Sequence, residues 1–256
     1  MKIIAGPCQH ESFAHSSLIA STCQRVCDEY DIEYIFKASF DKANRTNIDG
    51  ERGPGFVKTM QAFEKMRDVL KVDICTDIHE EKHAELVQDY VDVIQIPAFL
   101  SRQTDLITAA ISTGKIVNIK KGQFMAPWDV KGILSKVKNA TNEVWITERG
   151  TSFGYNSLVV DFTGMDYLLN SLNVNLVFDA THSVQKPGGN GNSSGGDRTL
   201  VPGLCRAASA LGVQNFFIEV HDSPDIAPSD GPNMIYLDDF EEVVRGIKEC
   251  SWNNYA

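Results

Sequence analysis

Short apolar runs rich in β-branched residues alternate along this chain with longer segments of helical periodicity. We predict eight strands, at about residues 2–6, 32–38, 72–77, 92–96, 116–120, 144–148, 174–180 and 215–220. Strands that alternate with helices form parallel sheets, because each helix carries the chain back to the edge where the next strand starts. Eight such units favour closure into a single (β/α)8 TIM barrel of the α/β class. An open sheet with an extra strand at its edge is the alternative.

Length and composition agree with one barrel. The chain has 256 residues, 43% of them hydrophobic, and no Pro-, Gly- and Ser-rich linker divides it, so we predict one domain over residues 1–256. No apolar stretch approaches the roughly 20 residues needed to span a bilayer, and Met1 is not followed by a secretory leader, which predicts a soluble, cytoplasmic protein. The formal net charge of -10 argues against nucleic-acid and anionic-membrane partners.

Two helices are predicted to pack on the barrel through an apolar face. The face of the helix after the second strand comprises Phe56, Met60, Phe63 and Leu70. The face of the last helix comprises Phe240, Val243, Val244 and Ile247. Asp238 precedes Glu241 by three positions, which predicts a capping box at the start of that helix.

Cationic residues follow three of the predicted strands. Active sites of such barrels form at the carboxyl ends of the strands, where the βα loops converge. The cations at the ends of strands two, five and six, or in the loops after them, are Lys37, Lys42, Arg45, Lys120 and Arg149. A single Lys or Arg is ordinarily a solvated surface charge. Five of them at strand ends predict a site for phosphate and carboxylate groups, which both residue types bind well.

Soft and acidic side chains follow strands one, seven and eight, which become neighbours if the barrel closes. They are Cys8, His182, Glu219 and Asp230. One thiolate, one imidazole and two carboxylates suit Zn²⁺, Fe²⁺ or Mn²⁺ better than Ca²⁺ or Mg²⁺. Their spacing alone is a weak signal, because no short motif such as CxxC is present and a buried cysteine is usually an inert core residue. The predicted barrel is what brings the four together.

One segment, Gly188–Gly196, has low complexity. It does not match the dinucleotide fingerprint G-x-G-x-x-G, so a nicotinamide or flavin cofactor is not predicted. Its glycines would permit motion, and we predict that residues 187–197 form a lid whose Ser194 contacts a phosphate. A surface loop without function is the alternative.

Six collinear segments resemble the 3-deoxy-manno-octulosonate 8-phosphate synthases and together span nearly the whole chain. They are Gly6-Pro7-Cys8, residues 37–45, 95–105 and 120–124, Thr147-Glu148-Arg149-Gly150, and residues 179–185. The most specific part is Lys42-Ala43-Asn44-Arg45. The related 3-deoxy-arabino-heptulosonate 7-phosphate synthases share the Gly-Pro-Cys start but generally carry a Lys-Pro-Arg-Thr-Ser type of sequence in that loop.

The resemblance implies a transferase that makes a precursor of the lipopolysaccharide sugar. Such enzymes condense phosphoenolpyruvate with D-arabinose 5-phosphate and water, giving 3-deoxy-D-manno-octulosonate 8-phosphate and inorganic phosphate. Members with Cys at the position of Cys8 bind a divalent metal, whereas members with Asn do without it. The matching ligands would be Cys8, His182, Glu219 and Asp230. A homotetramer is also implied.

The resemblance further implies roles for individual side chains. Phosphoenolpyruvate would be bound by Lys37, Ser39, Lys42, Gln95, Lys120 and Arg149. Arabinose 5-phosphate would be bound by Asn44, Arg45, Asp77 and Ser194, and by Arg102 of a neighbouring subunit. Catalytic roles are implied for Lys42, Asn44, Asp77, His182 and Asp230.

Two other functions stay open at this point. One is heptulosonate 7-phosphate synthesis from erythrose 4-phosphate, a sugar one carbon shorter. The other is a noncatalytic sugar-phosphate sensor that keeps the pocket without turnover. One residue also departs from the family: His10 stands where small or apolar residues are common, so it could compete as a metal ligand.

Overall fold

The computed structural model describes residues 1–45, 47–189 and 194–251. Within this part, eight parallel strands form a ring, and they are β1 (Lys2–Gly6), β2 (Glu33–Lys37), β3 (Asp73–Asp77), β4 (Val93–Ile96), β5 (Ile116–Lys120), β6 (Val144–Glu148), β7 (Asn175–Asp179) and β8 (Asn215–His221). Each strand pairs with the next in chain order, and β8 pairs with β1 from Asn215 opposite Lys2 to Glu219 opposite Gly6. The ring is therefore closed, and the predicted (β/α)8 barrel is confirmed.

Helices follow the strands along the chain. They are α1 (Phe13–Glu29), α2 (Phe56–Leu70), α3 (Glu81–Val87), α4 (Thr104–Ser112), α5 (Val130–Val137), α6 (Phe162–Asp166), α7 (Ala180–Ser183), α8 (Val201–Leu211) and α9 (Phe240–Glu249). A π-helical stretch, Tyr167–Ser171, continues α6. No helix among the described residues is long and apolar enough to cross a bilayer.

The predicted apolar faces of α2 and α9 are buried, but the predicted capping box is wrong. Met60 and Phe63 of α2 and Val244 and Ile247 of α9 are at most 2% exposed. The short 3₁₀ turn Leu237–Asp239 runs directly into α9, and no side chain caps the first turn of that helix. The turn supplies its own hydrogen bond, from the Phe240 amide to the Leu237 carbonyl, and this replaces the reciprocal side-chain bonds of a capping box.

Several short elements lie in the loops between the strands and helices. Two-residue strands pair as Thr151–Ser152 with Leu158–Val159, Gln185–Lys186 with Gly195–Gly196, and Ile235–Tyr236 with the end of β8. The other 3₁₀ turns are Ala98–Leu100, Pro127–Asp129, Arg198–Leu200 and Pro224–Ile226.

The interior of the ring changes from apolar to charged along its axis. An apolar cluster fills the lower part with Ile4, Ile35, Cys75, Val93, Trp145, Val177 and Phe217. Side chains of a strand alternate between the two faces, so the residue two positions further on also points inward. On five strands these positions are held by Lys37, Asp77, Gln95, Asp179 and Glu219. Polar and charged groups therefore lie directly above an apolar floor.

Candidate active site

A cavity of about 800 Å³ opens at the carboxyl ends of the strands. Its volume is within the range of small-molecule sites. Of the predicted site residues, those that line it are Lys37, Lys42, Asn44, Arg45, Asp77, Gln95, Lys120, Arg149, His182, Ser194 and Asp230. Three further predicted residues, Cys8, Ser39 and Glu219, are buried behind the wall and contact residues that line it.

The four predicted metal ligands meet at one side of this cavity. Donor atoms of Cys8, Glu219 and Asp230 all lie within 4.8 Å of one another. The Cys8 thiol is 3.4 Å from Asp230 Oδ2, and His182 Nε2 is 3.6 Å from Glu219 Oε2. Closure of the ring brings these residues together, because Gly6 at the end of β1 pairs with Glu219 on β8.

The state of Glu219 supports a cation at this point. The residue is 1% exposed, and neither of its carboxylate oxygens has a hydrogen-bond partner among the described residues. A buried, unpaired carboxylate is unfavourable, whereas a divalent ion would satisfy both oxygens. Burial, and then the nearby Glu219 charge, raise the pKa of the Cys8 thiol well above its ordinary value. A bound cation would favour the thiolate, so the donor set fits a thiolate-binding divalent metal.

Asp179 links Cys8, His182, Glu219 and Asp230, together the Cys8 donor cluster, to the cations. It is fully buried, and its Oδ2 is 2.7 Å from His182 Nδ1, which leaves Nε2 of that ring facing Glu219. The same oxygen accepts a hydrogen bond from Lys120. Burial acts to raise the pKa of Asp179, but His182 and Lys120 outweigh it and hold the pKa well below its usual range. Asp179 therefore orients a predicted metal ligand and a predicted phosphoenolpyruvate ligand at once.

A second buried pair lies across the cavity. Lys37 Nζ is 3.3 Å from Asp77 Oδ1, and Ser39 lies between them, accepting from Lys37 at 2.9 Å and donating to Asp77 at 2.5 Å. His79 Nε2 contacts the other Asp77 oxygen at 2.9 Å. Burial acts to raise the pKa of Asp77, but Lys37, His79 and Lys42 hold it well below the usual value.

The cations are interleaved with anions rather than gathered in a separate half of the site. Burial acts to lower the pKa of Lys42, but Cys8, Glu219, Asp77 and Asp230 raise it overall. Lys42 therefore belongs electrostatically to the donor cluster. The pKa values of Lys120 and Arg149 are lowered, chiefly by burial. Asp179 acts in the opposite direction on both pKa values, and an anionic substrate would favour the charged forms further.

Two residues of the loop after β2 lie at the rim of the cavity. Asn44 is exposed there. Arg45 donates through Nε to the Glu51 carbonyl at 2.6 Å and through Nη2 to Gln9 Oε1 at 2.6 Å. The Arg45 guanidinium is thereby held by its own loop and by the segment that follows Cys8.

Two predicted residues have other surroundings. Arg102 does not line the main cavity; it lines a second one, of about 280 Å³, together with Phe124, Asp129 and Lys136. Its predicted action in another subunit stays a prediction. His10 is buried, its Nδ1 is 2.8 Å from Ser16 Oγ, and its ring meets Phe63 edge-on. Burial lowers the pKa of His10 to about 4, so this ring packs as a neutral group between α1 and α2.

Sequence reasoning missed three cavity residues: Asp179, His79 and Gln185. Gln185 accepts from Arg149 at 2.9 Å and donates to Asp230 at 2.7 Å, so it joins a cation to the donor cluster. Asp179 lies at the end of a predicted strand, and His79 and Gln185 follow predicted strands within about five residues; that position was the available signal. Their partners depend on side-chain directions that the sequence does not specify.

The fold and the site define a (β/α)8-barrel enzyme whose mouth presents buried cations beside a thiol, imidazole and carboxylate cluster. The chain belongs to the DAHP synthetase I family, whose family model matches residues 1–254. It is 51% identical over 248 residues to a 2-dehydro-3-deoxyphosphooctonate aldolase of Nitrobacter hamburgensis, covering 96% of this chain and 86% of that protein. Proteins of the same name from Bradyrhizobium diazoefficiens and Agrobacterium fabrum are each 50% identical over 96% of this chain. The aligned regions span 88% and 87% of those two proteins.

Proposed function

We propose that this chain condenses phosphoenolpyruvate with D-arabinose 5-phosphate and water to give 3-deoxy-D-manno-octulosonate 8-phosphate and inorganic phosphate. The observation that carries the proposal is that Lys37, Lys120 and Arg149 line the same cavity as His182 and Asp230, with Cys8 and Glu219 directly behind its wall. The name of the relatives, a phosphooctonate aldolase, agrees with a phosphorylated eight-carbon product.

The buried cations would bind phosphoenolpyruvate. Lys120 and Arg149 come from adjacent strand ends, β5 and β6, and Lys37 enters the cavity from β2. Lys37 and Lys120 are held by Asp77 and Asp179. These aspartates hold the ammonium groups in place, so a phosphate or carboxylate meets preorganised partners. Gln95 and Lys42 line the same wall.

The phosphosugar would occupy the outer part of the cavity. Asn44, Arg45 and Ser194 line it there, and the arginine supplies a fork that matches a phosphate. Asp77 is placed to accept a hydroxyl of the sugar. The aldehyde would then lie near the donor cluster, between the two groups of ligands.

The reaction makes one carbon–carbon bond and breaks one carbon–oxygen bond. Carbon three of phosphoenolpyruvate attacks the sugar aldehyde, water adds at carbon two, and the resulting tetrahedral centre expels phosphate with its bridging oxygen. The side chains of the site hold the two anions in contact, which can supply about 7 to 11 kcal/mol through proximity. A divalent ion held by Cys8, His182, Glu219 and Asp230 would supply Lewis-acid orientation of the aldehyde.

Comparison of two aldoses separates this function from its nearest alternative. Phosphate release from phosphoenolpyruvate should be faster with arabinose 5-phosphate than with erythrose 4-phosphate. The reverse order would assign heptulosonate synthesis instead.

Arg45→Ala tests the position of the sugar phosphate. We expect it to raise the Michaelis constant for arabinose 5-phosphate at least about tenfold, because one charge-assisted contact is lost. The Michaelis constant for phosphoenolpyruvate should change much less. Arg52→Ala is a matched control, because Arg52 is exposed and pairs with Asp41 in the same loop. Equal effects of Arg45→Ala on both substrates would mean that the loop is misassigned.

The homotetramer, with Arg102 acting in a neighbouring subunit, belongs to the same proposal. Large apolar side chains near Arg102 are exposed in the single chain, among them Phe99, Phe124 and Trp128. Exposed aromatic groups of this kind are enriched at protein interfaces, which supports assembly through this face. The cytoplasmic location stays a prediction from the sequence.

A further inference from the structure

A second group of metal-ligand side chains lies outside the proposed active site. Glu11 precedes α1, His15 is in the first turn of that helix, and His221 ends β8. One donor atom from each lies within 4.8 Å of the others. None of the three lines the main cavity.

The two imidazoles converge on the Glu11 carboxylate. His221 Nε2 is 2.8 Å from Glu11 Oε1, and His15 Nδ1 is 3.8 Å from the same oxygen. The rings lie 4.5 Å apart between centroids. The histidine side chains are only 5% and 15% exposed, whereas the Glu11 side chain is 33% exposed, so the group is buried on its imidazole side and open to solvent at the carboxylate.

His15 presents a nitrogen that lacks a partner. Its Nε2 is 2.9 Å from Asp222 Oδ1, and since a carboxylate accepts, Nε2 is a donor. In the tautomer with its proton on Nε2 the lone pair is on Nδ1, which is buried and makes no hydrogen bond within the described residues. It faces Glu11 Oε1, a second acceptor. A buried acceptor that faces a second acceptor is unfavourable unless a cation lies between them.

His221 can present a lone pair toward the same point. At present the Ser223 amide donates to its Nδ1 at 2.9 Å, so Nε2 holds the proton that bridges to Glu11. Asp222 Oδ1 is 3.0 Å from that Nδ1. With the proton on Nδ1, Asp222 would accept from both rings, and the Ser223 amide would turn away. A carboxylate that holds the distal nitrogens of histidine ligands is a common arrangement behind metal sites.

We propose that Glu11, His15 and His221 bind a second divalent cation of the Zn²⁺ and Co²⁺ class, with Asp222 orienting both rings. Two imidazoles and one carboxylate are a frequent ligand set for such ions, with the remaining positions open to water. The site differs from the Cys8 cluster because it lacks a thiolate. A cation there would tie the segment after Cys8 to the end of the strand that carries Glu219.

Cobalt titration of the chelator-stripped full chain tests this site, because Co²⁺ bound to a thiolate gives a charge-transfer absorption band and Co²⁺ bound only to nitrogen and oxygen does not. Calorimetry should find two equivalents of Co²⁺, only one of which produces the band. His15→Ala and Glu11→Gln should each bind one equivalent and keep the band. Asp222→Asn should weaken the second equivalent about 10- to 100-fold.

Glu29→Gln is the matched control, because Glu29 is an exposed carboxylate at the other end of α1. This variant should still bind two equivalents of Co²⁺. A single equivalent that produces the band in the unchanged chain, or a second equivalent that persists in Glu11→Gln, overturns the proposal. If His15→Ala does not fold, the result for Glu11→Gln alone tests the proposal. If the Cys8 donor cluster did not bind metal, the absorption band would be absent and the equivalent bound by Glu11, His15 and His221 would remain.

Discussion

Cys8 and Asp230, two of the proposed metal ligands, have a left-handed backbone. Their φ angles are 64° and 53°, a region that residues other than glycine seldom adopt and that stores on the order of 1 to 3 kcal/mol of strain. The surrounding structure fixes both. A Cβ at Gly6 would lie 1.9 Å from the Lys37 carbonyl oxygen, so only glycine lets the start of the Cys8 loop approach β2. Strain at both donors agrees with a site selected for its geometry.

Cys8→Ser should lower metal content and turnover together. The thiolate contributes much of the affinity for a soft or borderline ion, so we expect at least about a tenfold loss of metal affinity. Elemental analysis of the purified protein measures it. Cys250→Ser is the control, because Cys250 is a free, partly exposed cysteine just after α9. Unchanged metal content in Cys8→Ser would refute the ligand assignment.

Acid should weaken the contribution of Asp77 to stability. Against the effect of burial, Lys37, His79 and Lys42 hold the Asp77 pKa well below the ordinary value of 3.8. The folded state therefore binds fewer protons than the unfolded state in this range. The stabilisation is complete above the unfolded-state pKa and is lost as the pH falls below it toward the folded-state pKa.

The unfolding free energies of the unchanged chain and Asp77→Asn measure this effect between about pH 3 and pH 6. Their difference should be largest above about pH 5 and shrink on acidification, by at most about 1.4 kcal/mol per pH unit. A difference that stays constant over this range would show that the Asp77 charge does not stabilise the fold.

At the scale of elements, the glycine-rich segment is tied down at both ends. Gln185 and Lys186 pair with Gly196 and Gly195 as a short antiparallel ladder. The intervening residues 190–193 lie outside the described part of the chain, so the lid stays a prediction. The ladder end is closely packed, since a Cβ at Gly196 would lie 1.4 Å from Asn233 Oδ1. Asn233 is fully buried, which leaves little room for adjustment.

Gly196→Ala should therefore displace the segment that carries Ser194 and Gln185. We expect turnover to fall by about 100-fold, the scale of a displacement of about 1 Å in a catalytic constellation. Gly203→Ala is the control, because a Cβ there meets open space within α8 and should stabilise the helix by up to about 1 kcal/mol. Equal turnover in the two variants would show that the ladder does not position the site.

At the scale of the whole molecule, the ring could be predicted because its strands are buried on both faces. Such strands are continuous β-branched runs, and all eight were placed within one residue of their observed ends. The loops were harder. The two-residue strands at 151–152 and 185–186 are too short to show a period of two. The 3₁₀ turn before α9 replaced the expected cap because backbone bonds compete with side-chain caps.

The sequence was enough to predict which residues would lie together at the mouth, but not how they would pair. The predicted strand ends gave the types of residue in the site, and closure of the ring implied that these residues lie close together. Which cation meets which anion depends on side-chain directions inside the ring, so the Lys120–Asp179 pair and the Gln185 bridge could not be foreseen.

Ring closure joins buried cations and the Cys8 donor cluster in one cavity, and the most direct test is release of inorganic phosphate from phosphoenolpyruvate. It should be measured with and without arabinose 5-phosphate, before and after chelation. We expect release only when the pentose phosphate is present, a lower rate after chelation, and recovery on addition of Zn²⁺, Fe²⁺ or Mn²⁺. Release that is the same without the pentose phosphate, or none when both substrates and metal are present, would contradict a two-substrate condensation.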